Sequence, residues 1–377
     1  MKKELSDLIE ISQFYGKQKD YTLGGGGNTS YKDKDLLYIK ASGHTLATIT
    51  VHGFSVLKRA KLREMQRKQY NANSQIRENE VKEDLLKARV NADSNLRPSV
   101  ETLLHDSIEY AYVVHTHPHM VNGLLCSKQA ENKTKEIFGN KILFIPYTDP
   151  GMILSRTVLK YLEGYRKTHT EDPNLIFLEN HGVFVAADSV KDIKTLYEFI
   201  QQQLLNELKE VITISDKDIS LLMQGNLNIL RAYLPERISL AVRFNSLIQH
   251  FTLDDASIDQ ITRPFVPDQI VYCKAYPLII PLQSDSVRTM QDLKIFFREY
   301  YTLHSYEPKI ILFEGGPMVG LEENRRSAEL ALDVFEDAMR ISFYSNYFGG
   351  PKFMTDPEIA FIEHWEAENY RRKISKT

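Results

Sequence analysis

Three histidines constrain this chain more than any other feature. His115-Thr116-His117 closes a β-rich run, Tyr110-Ala-Tyr-Val-Val114, and Asn180-His181-Gly182 follows a second short apolar run, Leu175-Ile-Phe-Leu178. Side chains at i and i+2 of a strand face the same way. His115 and His117 can therefore chelate one metal from one strand end, provided the fold brings the end of the 175–178 strand alongside to deliver His181. Three imidazoles leave one position open on a tetrahedral zinc-type ion, which is the arrangement of a catalytic site rather than a structural one. Two polar strand residues with ordinary hydrogen bonds are the competing reading of a His-X-His pair, and the third histidine in its Asn-His-Gly setting weighs against it. His119 would close the shell as a fourth ligand, so we read it as a loop histidine.

A chain of 377 residues exceeds most single cores, and two domains are expected, 1–224 and 225–377. Hydrophobic residues at 42% with 26% charged residues fit a globular protein. The net charge of -3 gives no global reason to expect nucleic acid or an anionic membrane as partner. It leaves room for a phosphorylated substrate, which needs only a local cationic or N–H-rich pocket. Cys126 and Cys273 are the only cysteines, so no disulfide framework is expected and a reducing cytoplasm is the natural reading. The charged start Met1-Lys-Lys-Glu-Leu-Ser-Asp-Leu has no signal-peptide core, and no stretch is long and apolar enough to span a bilayer. The expectation is a complete cytoplasmic protein without targeting segments.

The periodicity predicts helices over 4–15, 100–110, 127–138, 153–168 and 189–212, and strands over 36–39, 111–115, 141–145, 175–178 and 183–187. Residues 54–92 read as a helical excursion with a solvated face, broken near Asn71–Ser74. Leu23-Gly-Gly-Gly-Gly-Asn-Thr-Ser30 reads as a loop whose glycines can present backbone N–H groups to an anion, although a glycine run alone is more often a plain turn. It matches neither a P-loop nor a dinucleotide fingerprint. A domain boundary is expected between about 213 and 240. Beyond it, 269–273, 278–281 and 309–313 read as strands, and 288–301, 322–345 and 357–372 as helices. Alternating strands and helices argue for an α/β or α+β fold rather than a bundle.

Five segments occur in a telling order: Gly27-Asn-Thr-Ser30, Lys40-Ala-Ser-Gly43, Arg97-Pro-Ser-Val-Glu-Thr-Leu-Leu-His105, Val113-Val-His-Thr-His-Pro118 and Glu179-Asn-His-Gly182. Together they resemble the class II aldolase/adducin family of zinc enzymes across most of residues 20–212. The resemblance implies a sheet domain flanked by helices, with a second, smaller α/β domain following it here. It implies one Zn2+ per subunit on His115, His117 and His181, with Glu101 as the catalytic carboxylate. Asn28, Thr29, Ser30, Ser42, Gly43 and Ser99 would form a substrate-phosphate pocket. Lys40 could add positive charge there, or could equally be a solvated strand-end lysine. The family often has a second serine where this chain has Val100, which removes one hydroxyl donor. His105, one helical turn after Glu101, would orient it or pack, and His44 could touch substrate. An acid–base tyrosine from a neighbouring subunit is implied and is not assigned by the sequence.

A closer resemblance covers nearly the whole chain. Glu83-Asp-Leu-Leu-Lys-Ala-Arg-Val90, Pro146-Tyr-Thr-Asp-Pro-Gly151, Val266-Pro-Asp-Gln-Ile-Val271 and Phe348-Gly-Gly-Pro-Lys-Phe-Met-Thr-Asp356 are similar to the aldolase part of bifunctional rhamnulose-1-phosphate aldolase/lactaldehyde dehydrogenases, without the dehydrogenase domain. That implies a homo-oligomeric lyase releasing dihydroxyacetone phosphate and an aldehyde such as lactaldehyde. Two alternatives stay open. A pentulose-phosphate 4-epimerase would share the zinc frame, although that branch typically carries aspartate at the position of Glu101. A noncatalytic adducin-like interaction module would not need the metal triad.

Overall fold

The computed structural model describes residues 2–281 and 288–365. The chain divides into two compact units, one up to Leu208 and one from Lys209 onward.

The first unit is built on a seven-stranded sheet. Helix α1 (Lys2–Gly16) precedes β1 (Asn28–Lys32), β2 (Leu36–Lys40) and β3 (Phe54–Lys58). Helices α2 (Arg59–Arg67), α3 (Ser74–Ala88) and α4 (Thr102–Ser107) lead to β4 (Tyr112–Thr116). Then come α5 (His119–Leu125), α6 (Ala130–Phe138), β5 (Ile142–Ile145), α7 (Met152–Tyr165), β6 (Leu175–Leu178), β7 (Gly182–Ala187) and α8 (Val190–Glu207). The strand order is β3-β2-β1-β4-β7-β6-β5. Every neighbouring pair is antiparallel except β5 with β6. β4 thus lies mid-sheet, with β1 on one side and β7 on the other.

Strand alternation sorts the side chains onto two faces. On one face, the Thr29 hydroxyl meets Ser12 of α1 at 2.6 Å, and the Thr116 hydroxyl meets Tyr197 of α8 at 2.7 Å. α8 buries Ile193, Tyr197, Ile200 and Leu204, a helical stripe, behind an N-cap in which Ser189 Oγ accepts from the Asp192 amide. On the other face, Val113 and Phe184 pack with Leu104, Val158 and Ile176 under α4 and α7. The catalytic candidates lie on this second face.

The second unit holds a smaller sheet ordered β8-β11-β10-β9, formed by β8 (Ser239–Arg243), β9 (Leu278–Ile280), β10 (Ile310–Phe313) and β11 (Met318–Glu322). Its helices are α9 (Leu221–Tyr233), α10 (Ser246–Thr252), α11 (Asp255–Ile258), α12 (Pro267–Cys273), α13 (Met290–His304), α14 (Arg325–Ser345) and α15 (Asp356–His364). Leu227 and Leu230 of α9 and Leu293 and Phe297 of α13 join Ile311 and Val319 in one core. α14 packs against β11, where a side chain at Gly320 would strike the Ala328 carbonyl. Because α9 belongs to this core, the division falls before the 224/225 boundary expected from sequence.

Three sequence expectations differ in secondary structure. The 23–30 loop gives way to strand at Asn28, and the supposed helical stretch from 54 begins as β3. Residues 269–273, read as a strand from Ile270-Val-Tyr272, are helical. Pro267 in the first turn and Asp268 start that helix, and α14 and α15 pack on it. Of the expected helix over 357–372, Asp356–His364 is observed as helix with Trp365 as its C-cap, and positions 366–372 lie outside the described residues. No helix among the described residues is long and apolar enough to cross a membrane.

Candidate metal and active site

His115 and His117 stand at the end of β4 on one side, as their spacing requires, and a three-residue turn between β6 and β7 carries His181 to them. That turn depends on Asn180 adopting φ +51°, a left-handed conformation that asparagine tolerates better than most residues. The Asn122 amide holds the His181 carbonyl at 3.2 Å. One donor nitrogen from each of the three imidazoles lies within 4.8 Å of the others. His117 Nε2 is 2.9 Å from His115 Nε2.

The surroundings fit a metal. His115 Nδ1 lies 3.0 Å from the Val183 carbonyl, an acceptor, so Nδ1 carries the proton and Nε2 keeps its lone pair for coordination. Phe184 stacks on the His115 ring at 4.1 Å and 15°, which fixes its plane. His115 is 1% exposed, and His117 and His181 are largely enclosed. Gly182 makes the close approach possible. A Cβ there would lie 2.6 Å from His117 Cδ2 and 2.6 Å from the Thr116 carbonyl.

Glu101 lies at the same point. Its Oε1 is 3.3 Å from His115 Nε2 and 3.6 Å from His181 Nε2. The Asn28 amide donates to its Oε2. Glu101 sits at the N-cap of α4 rather than inside the first turn, and its own amide donates to Ser99 Oγ at 3.2 Å. Glu101 is therefore held at both ends, its carboxylate by Asn28 of β1 and its backbone amide by Ser99.

The expected phosphate residues separate by face. Asn28 and Ser30 point toward α4, where Ser30 Oγ pairs with His105 Nδ1 at 2.8 Å. Thr29 alternates to the opposite face and is fully buried against α1, so its hydroxyl is turned away from the site. Lys40 is 3% exposed and donates to the Gly25 carbonyl at 2.8 Å, so it ties the glycine loop down and is not a solvated strand-end lysine. Ala41 bridges to Pro98, and the Ser42 amide donates to the Arg97 carbonyl at 2.8 Å. The glycine loop, Lys40, Ser42, Gly43, Ser99, Glu101 and Asn28 thus form a connected rim. Asn28, Ser42 and Gly43 are its partly exposed members, while Ser99 is 4% exposed.

His119 opens α5 rather than lying in a loop, with Nδ1 4.0 Å from Asp20 Oδ1. Sequence reasoning missed the tautomer-fixing carbonyl of Val183, the stacked Phe184, the link from Asn28 to Glu101 and the steric demand at Gly182. Only Gly182 carried a signal, as a glycine directly after a candidate ligand.

The family model described as Class II Aldolase and Adducin N-terminal domain matches residues 6–205. A curated relative, the uncharacterized oxidoreductase YuxG of Bacillus subtilis (strain 168), is 23% identical over 418 residues. The match covers 99% of this chain and 59% of that protein, so the chain spans under two thirds of its length. Among solved structures, the N-terminal class II aldolase domain of a conserved Thermoplasma acidophilum protein is 25% identical with a TM-score of 0.46, over 54% of this chain and 92% of that one. L-fuculose-1-phosphate aldolase from Thermus thermophilus is 14% identical with a TM-score of 0.34, over 54% and 94%.

Proposed function

The chain belongs to the class II aldolase and adducin family through residues 6–205, and from that premise we propose that it is a zinc-dependent aldehyde-lyase cleaving a ketose 1-phosphate. The observation that carries this reading is the carboxylate of Glu101, 3.3 Å from His115 Nε2 and 3.6 Å from His181 Nε2, two of the three grouped imidazoles. His115, His117 and His181 would hold the zinc, which when bound would supply Lewis acidity to stabilise negative charge on the sugar's oxygens. Loss of the C4 hydroxyl proton to the acid–base tyrosine that the family resemblance implies breaks the C3–C4 bond, releases an aldehyde and leaves an enediolate on the phosphate-bearing fragment, which Glu101 meets in its protonated form. Glu101 delivers a proton to the C3 carbon of that enediolate, giving dihydroxyacetone phosphate, and removes it in the reverse direction. Asn28 orients the carboxylate for this transfer.

Asn28, Ser42 and Gly43 at the rim bind the phosphate, with Ser99 and the charge of Lys40 behind them. Thr29 and Ser30 serve as the strand that presents Asn28. Rhamnulose 1-phosphate is the favoured substrate and lactaldehyde the aldehyde product, in a cytoplasmic homo-oligomer engaged in rhamnose metabolism. The name oxidoreductase on the longer Bacillus protein accords with redox consumption of that aldehyde, on the same polypeptide or another.

Dihydroxyacetone phosphate release from rhamnulose 1-phosphate, fuculose 1-phosphate and related ketose 1-phosphates should be measured with zinc-loaded and chelated protein. Zinc-dependent release from one sugar is the expected result. No release at full zinc occupancy would sink the proposal and direct attention to ribulose 5-phosphates and epimerase chemistry. Glu101→Gln should lower turnover by about 10²–10⁴-fold, the usual contribution of a positioned acid–base group, while binding zinc stoichiometrically. Loss of zinc in that variant would instead identify Glu101 as a ligand.

A further inference from the structure

β1 and α4 meet through matched spacings. Asn28, Ser30 and Lys32 alternate onto one face of β1, and each contacts the Glu101–His105 segment. Asn28 holds the Glu101 carboxylate, Ser30 Oγ lies 2.8 Å from His105 Nδ1, and Lys32 Nζ donates to the His105 carbonyl at 2.8 Å. Two residues of strand advance about 6.7 Å and four residues of helix about 6 Å, so an i,i+2 pair on a strand can engage an i,i+4 pair on a helix without distortion. The His105 amide also donates to the Glu101 carbonyl at 3.0 Å, which ties the two rungs together along the helix.

His105 reaches the metal ligands by a second route. Its ring meets Phe184 edge-on at 5.3 Å and 71°, and Phe184 lies flat on His115. We propose that the Ser30–His105 pair is a positioning device that registers Glu101 and His115 against each other across the β1–α4 junction. The inference rests on the proposed acid–base role of Glu101. His105 is fully buried, and burial pushes its pKa down to about 3, so the imidazole stays neutral throughout the working range. It therefore brings no charge to compete with zinc.

The test uses the full chain loaded with cobalt(II) in place of zinc, together with steady-state kinetics on the zinc form. Ser30→Ala, Ser30→Thr and His105→Gln are compared with wild type. Ser12→Ala serves as a control that removes a buried hydroxyl bond on the opposite face of the sheet. Ser30→Ala is expected to shift the visible cobalt bands at unchanged stoichiometry, and to lower kcat by about 10–100-fold with KM nearly constant, as a small misplacement of a reacting group does. Ser30→Thr should restore both, His105→Gln should fall between, and Ser12→Ala should match wild type. A Ser30→Ala protein with wild-type bands and kcat would overturn the proposal. So would one whose cobalt content falls in step with its activity, because that marks a structural role. If wild type cleaves no ketose phosphate, the proposed reaction fails, and the cobalt bands still decide whether the pair positions the site.

Discussion

Gly182 has no room for a side chain, and its neighbours decide the consequence. A methyl group there would press on a His117 ring carbon and on a backbone carbonyl, and only the ring can move. Gly182→Ala should therefore displace His117, destabilise the fold by about 1–3 kcal/mol, the usual range for overpacking, and lower metal occupancy. Urea denaturation and metal analysis after dialysis would check both, and a stable variant with full metal content would refute the assignment. The three histidines were legible in the sequence because their spacing matches strand geometry and a turn, independently of register. The face occupied by Thr29 was not legible. It follows from β1 pairing Thr29 with Val114 and Asn28 with His115, a register that nothing local specifies.

At the scale of elements, the β1–α4 junction contains an unusual group. Lys32 is buried, and desolvation pushes its pKa down to about 7, against about 10.4 in an unfolded chain. Below the folded value Lys32 is charged in both states, and the folded state bears the full desolvation cost. Between the two values the unfolded chain binds more protons, so stability rises with pH. Lys32→Met removes the effect, so its stability relative to wild type should fall as pH increases from about 7 to about 10.4, the window those two values define. Urea midpoints at three pH values would show it, and a constant difference would mean that Lys32 titrates normally. The same junction explains why β1 escaped sequence reading. Asn-Thr-Ser-Tyr-Lys lacks the apolar alternation of a strand because its inward face meets a polar site rather than a core. α12 was misread for the opposite reason: Ile270 and Val271 favour strands, and packing on α14 and α15 overrides that local preference.

For the whole molecule, the division at Leu208 follows the end of α8, and the chain runs irregularly to α9 at Leu221. Part of that connection is held, since the Lys217 amide donates to the Phe244 carbonyl. Lys209 is exposed before that point. Limited trypsin treatment should cut first at Lys209 and leave two resistant fragments. Early cuts within α14 or the large sheet would contradict two separately compact units. The two-unit organisation was visible from length and from the change in pattern after 212, whereas its boundary depended on which core α9 joins.

The central place of β4 also sets a timetable for synthesis. His115 and His117 leave the ribosome together, but the histidine that completes their triad lies on a turn far later in the chain. β7, the neighbour that fixes the His115 tautomer through Val183, emerges last among the strands of that sheet. A nascent chain can offer an ion only a two-histidine grip until then. If the triad holds the proposed zinc, loading would belong to the end of assembly of the first unit and would mark chains whose sheet has closed.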